Sequence, residues 1–303
     1  MSYLEEEHSE WKKQLRKEFI SALVGSPSEK TKAFWQIGYY YKCCAPASIY
    51  KYFRDDQRSL DTVKENKLWY SAPINFNDVF DSDILIDENG VFDSMLKMPD
   101  IPKGIRPGSQ VWKAIRNQFR KDLPTLRANL DGLKSTTGIA CLTETDDSLL
   151  MWSHYANNHR GMCVEYELMA INEQLKFSPV PVVYEDKRVW LRSINQSTLD
   201  AELKKVLIES LTSKSPEWSY EREWRIIRDE GACGTKWEKG KNGALLEMVR
   251  PSSIVLGCMA KLEFEESVRG YCDKNRISLY KMRKSTEFYK LEKEPIMVFE
   301  ENM

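Results

Sequence analysis

Three stretches of this chain concentrate the side chains that bind, polarise and transfer. The first is WSYEREWRIIR at 218–228. Written as a strand, it puts Glu221, Glu223 and Arg225 on one face and Tyr220, Arg222, Trp224 and Ile226 on the other. Two carboxylates at that spacing stand ~7 Å apart. One can then hold a ribose hydroxyl while the other orients an acceptor, and their repulsion would raise one of the two pKa values. A solvated strand in which Arg225 pairs with both carboxylates fits the same pattern.

The second is MWSHYANNHRG at 151–161, which holds two of the three histidines. On a helix Trp152, Tyr155 and His159 share one face, and His154 and Asn158 an adjacent one. Histidines five apart with no glutamate between them do not make a helical zinc site, so no metal is expected there. They read as a pocket wall or as satisfied structural residues. The third is IYKYFR at 49–54, where a strand turns Tyr50, Tyr52 and Arg54 one way and Lys51 and Phe53 the other. Paired aromatics beside a cation can hold a ligand ring and a phosphate, or simply pack on a sheet. In PINFNDVFDSD at 73–83, asparagines and aspartates shape a tight loop. That loop lacks the glycine and closing glutamate of an EF-hand.

Elements must position these groups. Strands are expected at 48–53, 67–71, 138–142, 161–166, 218–228, 244–248, 254–257, 277–282 and 288–291, with a proline-bearing edge strand at 179–184. Helices are expected at 58–66, 109–130, 147–158, 197–213 and 262–275. The helix at 109–130 has an apolar stripe interrupted by Pro124 and a basic face of Lys113, Arg116, Arg120, Lys121 and Arg127, solvated or touching nucleic acid. Strands and helices interleave irregularly, so the fold class is α+β, a mixed and largely antiparallel sheet with flanking helices. Leu4, Trp11, Leu15, Phe19 and Leu23 make the start an amphipathic helix, and a second helix follows at 29–42. The division is therefore an N-terminal helical arm over 1–47 and a single α+β domain over 48–303. The arm is a candidate surface for homo-oligomer formation or partner docking.

Composition bounds the function. Lys and Arg total 45 against 46 Asp and Glu, which counts against a wholly basic nucleic-acid surface and leaves a local basic groove open. No apolar run reaches the ~20 residues of a membrane span, so no membrane partner is expected. Seven cysteines with no C-x-x-C spacing, behind an N-terminus with no apolar leader, read as reduced and mostly buried thiols in a cytoplasmic protein.

Taken in order, IYKYFR at 49–54, KLWYSAPINFNDVFD at 67–81, LMWSHYANNHRG at 150–161 and YEREWRI at 220–226 resemble a bacterial family known as domain of unknown function 2971. The resemblance covers residues 48–292 or so and implies a cytoplasmic bacterial protein of phage-defence or toxin-like setting. A second likeness is to the ADP-ribosyltransferase-like superfamily. Its opening strand, helix and Leu-x-x-Ser strand are similar to YKYF at 50–53, the helix at 58–66 and LWYS at 68–71. Lys51 stands where that superfamily carries His or Arg, offering a cation without the guanidinium fork or the imidazole acceptor. Trp152 or Tyr155 is similar to its nicotinamide-pocket aromatic, and Glu221-Arg222-Glu223 to its late Glu-x-Glu.

This likeness implies NAD as substrate of an ADP-ribosyltransferase or NAD glycohydrolase, acting on a protein or nucleic-acid acceptor or on water. Glu223 would stabilise charge on the ribose and Glu221 orient the acceptor. Tyr52 or Tyr155 would stack on nicotinamide, and Lys51, Arg54 or Arg225 would neutralise the pyrophosphate, with Trp152, His154 and His159 completing the wall. Two further readings stay open. One is a non-catalytic sensor of a nucleotide or phage component. The other is a magnesium-dependent nuclease built on Asp78, Asp81, Glu221 and Glu223.

Overall fold

Gly25-Ser26-Pro27 divides the N-terminal helical segment into α1 (Tyr3–Val24) and α2 (Pro27–Cys43). Ser26 and Glu29 form a reciprocal capping box, and Pro27 occupies the first turn, where its missing N–H costs nothing. In this computed structural model, which describes residues 3–176, 178–195, 199–229 and 243–299, the two helices pack on the sheet. Leu15 is fully buried in the main core, and the Trp11 ring lies 6.2 Å from that of Trp224. Lys12 pairs with Glu144 at 2.5 Å and Arg16 with Glu185 at 3.1 Å.

The chain then lays down β1 (Ser48–Phe53), α3 (Gln57–Lys64), β2 (Lys67–Ser71), β3 (Ile84–Ile86) and α4 (Glu88–Met95). Next come α5 (Gln110–Ser135), β4 (Thr137–Thr143), α6 (Leu149–Tyr155), β5 (Met162–Glu167) and α7 (Leu168–Leu175). The short strands β6 (Val180–Pro181), β7 (Val183–Tyr184) and β8 (Val189–Leu191) precede α8 (Leu199–Leu211) and β9 (Ser213–Lys214). The last elements are β10 (Glu223–Asp229), β11 (Gly243–Glu247), β12 (Ser253–Leu256), α9 (Leu262–Asn275), β13 (Ser278–Lys284) and β14 (Leu291–Met297).

The fold is mixed α/β, as expected, around a largely antiparallel sheet. Its order among the described residues is β11-β2-β4-β1-β5-β12-β13-β14, with β10 joined to β4 and β6 to β10. The parallel pair in it is β12–β13, and α9 makes the crossover between them. Strand alternation divides the sheet's apolar residues between two cores. Ile49, Leu142, Val164, Trp224, Ile226 and Leu256 face α1, α2 and α9, where Leu15, Ile37, Tyr41, Val268 and Cys272 meet them. Tyr52, Cys163, Val255 and Met282 point the other way, against Met151 and Trp152 of α6. A separate cluster of Phe92, Phe119, Leu123, Leu130, Leu191 and Val206 holds α4, α5 and α8 to the small β3–β8 sheet.

The ladder around β4 is uneven. It pairs with β10 over seven residues, from Glu223 opposite Thr143 to Asp229 opposite Thr137. With β1 it shares a single registered pair, Tyr50 opposite Thr143, and with β2 another, Ser71 opposite Ile139. β1 is meanwhile paired along its whole length with β5. β4 therefore stands in a fork between strands that diverge from it.

Several expectations change. The helix expected over 147–158 ends at Tyr155, because Asn157, Asn158 and His159 adopt left-handed φ values of 47°, 55° and 64°. The strand expected over 218–228 begins at Glu223. A 3-10 turn covers Pro216–Glu221, and Arg222 is left-handed with φ 43°. The last strand lies at 291–297 rather than 288–291, leaving Phe288 and Tyr289 exposed in the hairpin turn. Pro124 sits inside an unbroken α5, whose basic face is solvated in part and tied in part, Arg116 lying over the Phe92 ring and Arg127 near Glu88. Cys163 and Cys272 are buried, but Cys43 and Cys44 are exposed, and Cys233 lies outside the described residues. Among the described residues no helix is long and apolar enough to cross a membrane.

Candidate functional site

In the fork a cleft of about 990 Å³ opens between the parted strands. All of Tyr50–Arg54 lines it, with α3, the ends of β2 and β4, the loop at 75–81, α6, and the group Lys214, Glu221, Glu223 and Arg225. Lys51 spans the gap, its Nζ donating to the Cys141 carbonyl at 2.7 Å. An ammonium thus serves a backbone acceptor of β4 in the region where β1 has left its ladder.

The floor is a buried ionic network. Arg225, fully buried, donates through Nε to Glu223 Oε1 at 2.8 Å and through Nη2 to Glu223 Oε2 at 3.1 Å. Its outer edge donates to both oxygens of Asp81, at 2.9 and 2.6 Å, and to the Leu211 carbonyl at 2.8 Å. Every direction of the guanidinium fork is used. Lys214 donates to Glu221 Oε2 at 2.6 Å and Glu223 Oε2 at 3.2 Å, and lies 3.8 Å from Asp81. Tyr155 completes the set, its hydroxyl donating to Glu221 Oε1 at 2.6 Å.

Backbone bonds fix both glutamates. Thr143 Oγ1 donates to the Glu221 carbonyl at 2.6 Å, and the Glu223 N–H donates to the Tyr184 hydroxyl at 2.9 Å. The left-handed Arg222 is what lets Glu221 and Glu223 both reach Lys214, although only Glu223 lies on the strand.

Repulsion from Glu221 does not decide the titration of Glu223. Burial pushes the Glu223 carboxyl up, but Arg225 and Lys214 together outweigh it and hold it down at about 2. Burial pushes Lys214 down, and Glu223 and Glu221 more than reverse that, leaving it above the ordinary lysine range. Burial, reinforced by Glu221, keeps the Tyr155 phenol protonated well above its usual range. Glu223 and Lys214 are thus held as opposite charges rather than poised to exchange protons near neutrality.

Another part of the lining differs. Lys51, Arg54 and Arg58 line the cleft with no carboxylate partner among the described residues; Arg58 lies 5.7 Å over the Trp69 ring. Trp69, Phe76, Tyr50 and Tyr155 supply aromatic surface in the lining. Phe76 also covers Arg225, 5.3 Å from its guanidinium.

The cleft therefore gathers Lys51, Tyr52, Arg54, His154, Tyr155, Glu221, Glu223 and Arg225 from the sequence-derived set. Trp152 and His159 do not join them. Trp152 is fully buried, edge-on to Tyr52 at 5.1 Å, with its indole N–H given to the Asp146 carbonyl. His159, carried past the end of α6 by the left-handed turn, lines a second cavity of about 650 Å³ beside Cys258, Met259 and the 284–291 hairpin. Its Nδ1 is buried without a partner, and burial and Lys284 lower its pKa. Trp152 and Trp224 occupy different cores.

Lys214, Arg58 and Trp69 also line the cleft, although the motifs did not single them out as site residues. Lys214 stands in TSKSP at 212–216 with no local signal, because its partners come from distant strands. Asp81 enters the floor, whereas Asp78 lies outside the cleft lining. Among the described residues no group of three or more metal-ligating side chains is placed to hold an ion, the converging carboxylates being engaged by Lys214 and Arg225.

No curated protein and no solved structure matches the chain, so the likeness to ADP-ribosyltransferase-like proteins rests on its residues alone. Residues 151–226, which bring Tyr155, Lys214, Glu221, Glu223 and Arg225 to the cleft, match the sequence model of the family described as protein of unknown function (DUF2971).

Proposed function

We propose that the cleft binds a phosphate-bearing nucleotide, NAD first among them, and breaks its N-glycosidic bond as a transferase or glycohydrolase. The observation that carries this reading is the division of charge in the cleft lining. Lys51, Arg54 and Arg58 line the cleft without carboxylate ion pairs among the described residues, the Asp56 carboxylate beside them capping α3, while Asp81, Glu221 and Glu223 are paired in the floor and aromatic rings share the lining. A pyrophosphate suits the cations, a base suits the rings, and a ribose suits the carboxylate side.

The two glutamates exchange the roles that the sequence suggests. Both Glu223 oxygens are committed to Arg225 and Lys214, so Glu223 positions the floor. Glu221 also has both oxygens bonded, to Lys214 and to the Tyr155 hydroxyl, but it has no guanidinium partner; a ribose hydroxyl that takes the place of the Tyr155 hydroxyl would make it the carboxylate that stabilises the cation formed as nicotinamide leaves. His154 and Tyr155 of α6 and Tyr50 and Tyr52 of β1 bound the nicotinamide end. The bacterial defence or toxin-like setting comes with the family likeness.

A second reading has its own support. A floor whose charges are all internally paired is also what a rigid recognition site needs, so a nucleotide sensor without chemistry is the alternative. Purified protein is incubated with NAD, free nicotinamide is followed by chromatography, and binding is measured by calorimetry, beside Glu221→Gln. Release that is lost in the variant, with binding kept, supports cleavage. Binding without release, unchanged in Glu221→Gln, supports the sensor. Neither binding nor release sinks the NAD reading.

A further inference from the structure

The turn that follows α6 takes His159 away from the cleft. Asn157, Asn158 and His159 are left-handed in succession, a conformation that residues other than glycine seldom adopt. The segment at 257–259 is shaped to receive the turn. A Cβ at Gly257 would lie 2.1 Å from the His159 carbonyl, and the Met259 N–H donates to that carbonyl at 2.9 Å. His159, Cys258 and the 284–291 hairpin thereby come together around the cavity of about 650 Å³, a volume within the range of small-molecule sites.

The polar groups of this cavity lack partners. His159 Nδ1 is buried and bonded to nothing among the described residues. Lys284 lines the same cavity with no ion pair among the described residues, unlike Lys290, which meets Glu292 at 3.4 Å. Lys284 is near enough to act on both His159 and Cys258, and with burial it keeps the imidazole neutral. Glu287, the carboxylate of the lining, stands on the exposed hairpin turn, whereas the charges acting on His159 and Cys258 are those of Lys284 and Lys281. A neutral imidazole can donate from Nδ1, and an ammonium donates without accepting. One acceptor anion therefore satisfies both, and leaving a buried polar atom unpaired is costly. Other parts of the lining are apolar and face water: Leu149 is 42% exposed, Met259 49% and Phe288 64%.

We propose that this cavity is a second ligand site, separate from the cleft, for a small carboxylic acid with an apolar body. Lys284 and His159 Nδ1 hold the carboxylate, and Leu149, Met259 and Phe288 cover the body. One cation beside one neutral donor matches a singly charged head group, where a phosphate would call for more cations. The site stands whether or not the cleft binds a nucleotide.

Calorimetry on the full chain with 2-naphthoate tests the proposal, beside 2-naphthamide, which has the same shape without the charge. The expected result is naphthoate binding with a Kd below about 1 mM and about 10-fold tighter than that of the amide. Lys284→Gln, at an exposed position with no ion pair to lose among the described residues, should remove that preference. Glu287→Gln should keep or strengthen it. Alkylation by iodoacetamide, read by mass spectrometry, locates the ligand independently. At roughly ten times its Kd, naphthoate should slow modification of Cys258 about 10-fold while the exposed Cys43 and Cys44 react as before. Absence of binding up to about 1 mM, equal binding of the amide, binding unaltered in Lys284→Gln, or a Cys258 left unprotected overturns the proposal. Binding lost in Glu287→Gln assigns the cavity to a cation and overturns it as well.

Discussion

Arg225 shows how differently two cations of one cleft behave. It is fully buried, and its guanidinium is divided between Glu223 and Asp81. Replacing it by methionine leaves two buried carboxylates without their main partner, and such a loss costs ~3–5 kcal/mol. Urea unfolding of Arg225→Met should show it as a lowered midpoint. Arg58→Ala, at an exposed position with a ring contact alone, should leave the urea midpoint within ~0.5 kcal/mol of wild type yet weaken nucleotide binding about 10-fold by calorimetry.

The same network sets a pH window. Glu223 is held at about 2, below its value in the unfolded chain, so its stabilisation is complete above pH ~4.5 and is lost as pH falls toward ~2. Lys214 is displaced upward, so its share is complete below its unfolded value near ~10.5 and is lost as pH rises beyond the folded one. The urea midpoint should therefore fall on acidification below pH ~4.5, and fall less steeply in Glu223→Gln. These charges were legible as residue types but not as partners: alternation puts Glu223 and Arg225 on one face, while Lys214 and Asp81 arrive from elements that no local pattern links to them.

At the scale of elements, periodicity located most of the helices and strands, and backbone exceptions placed the site. α2 and α9 fall where apolar spacing puts them, because burial of one face is what those patterns encode. The ends of α6 and the start of β10 escape the pattern, since both depend on left-handed residues other than glycine, His159 and Arg222 among them. Tertiary contacts hold the first of these turns. The His159 N–H donates to the Trp152 carbonyl at 3.1 Å, and its own carbonyl accepts from Met259 at 2.9 Å. Gly161 follows so close to β1 that a Cβ there would lie 1.9 Å from the Phe53 carbonyl. Gly161→Ala must push β1 and β5 apart at the cleft wall. It should cost ~3 kcal/mol or more and broaden the thermal transition, which calorimetry would read.

Across the whole molecule, the N-terminal helices contribute to the same core as the sheet. Trp11 tilts against Trp224, whose neighbours in sequence, Glu223 and Arg225, point to the opposite side and form the cleft floor. A single strand therefore carries helix packing on one face and the site on the other. Trp11→Ala, half-buried, should cost ~2 kcal/mol in one cooperative transition followed together by fluorescence and circular dichroism. Two separated transitions would show that helices and sheet unfold apart. The mixed, largely antiparallel architecture was readable from the irregular interleaving of strands and helices. The fork at β4 was not, because which strands neighbour β4, and for how many residues, is decided by contacts between distant segments.

That fork also gives the molecule a seam. A strand joined to β1 and to β2 by one registered pair each can part from those two while it keeps β10, and without breaking the ladders on their far sides, where β1 keeps β5 and β2 keeps β11. Opening would then propagate from Tyr50 and Ser71 rather than from the edges of the sheet, and the amides of residues 50–54 and 139–143 would trade hydrogen for deuterium through it. A molecule lodged in the cleft would sew the seam shut. Slower exchange confined to those two runs, with the edge strand β14 unchanged, would mark occupancy even where no product is formed.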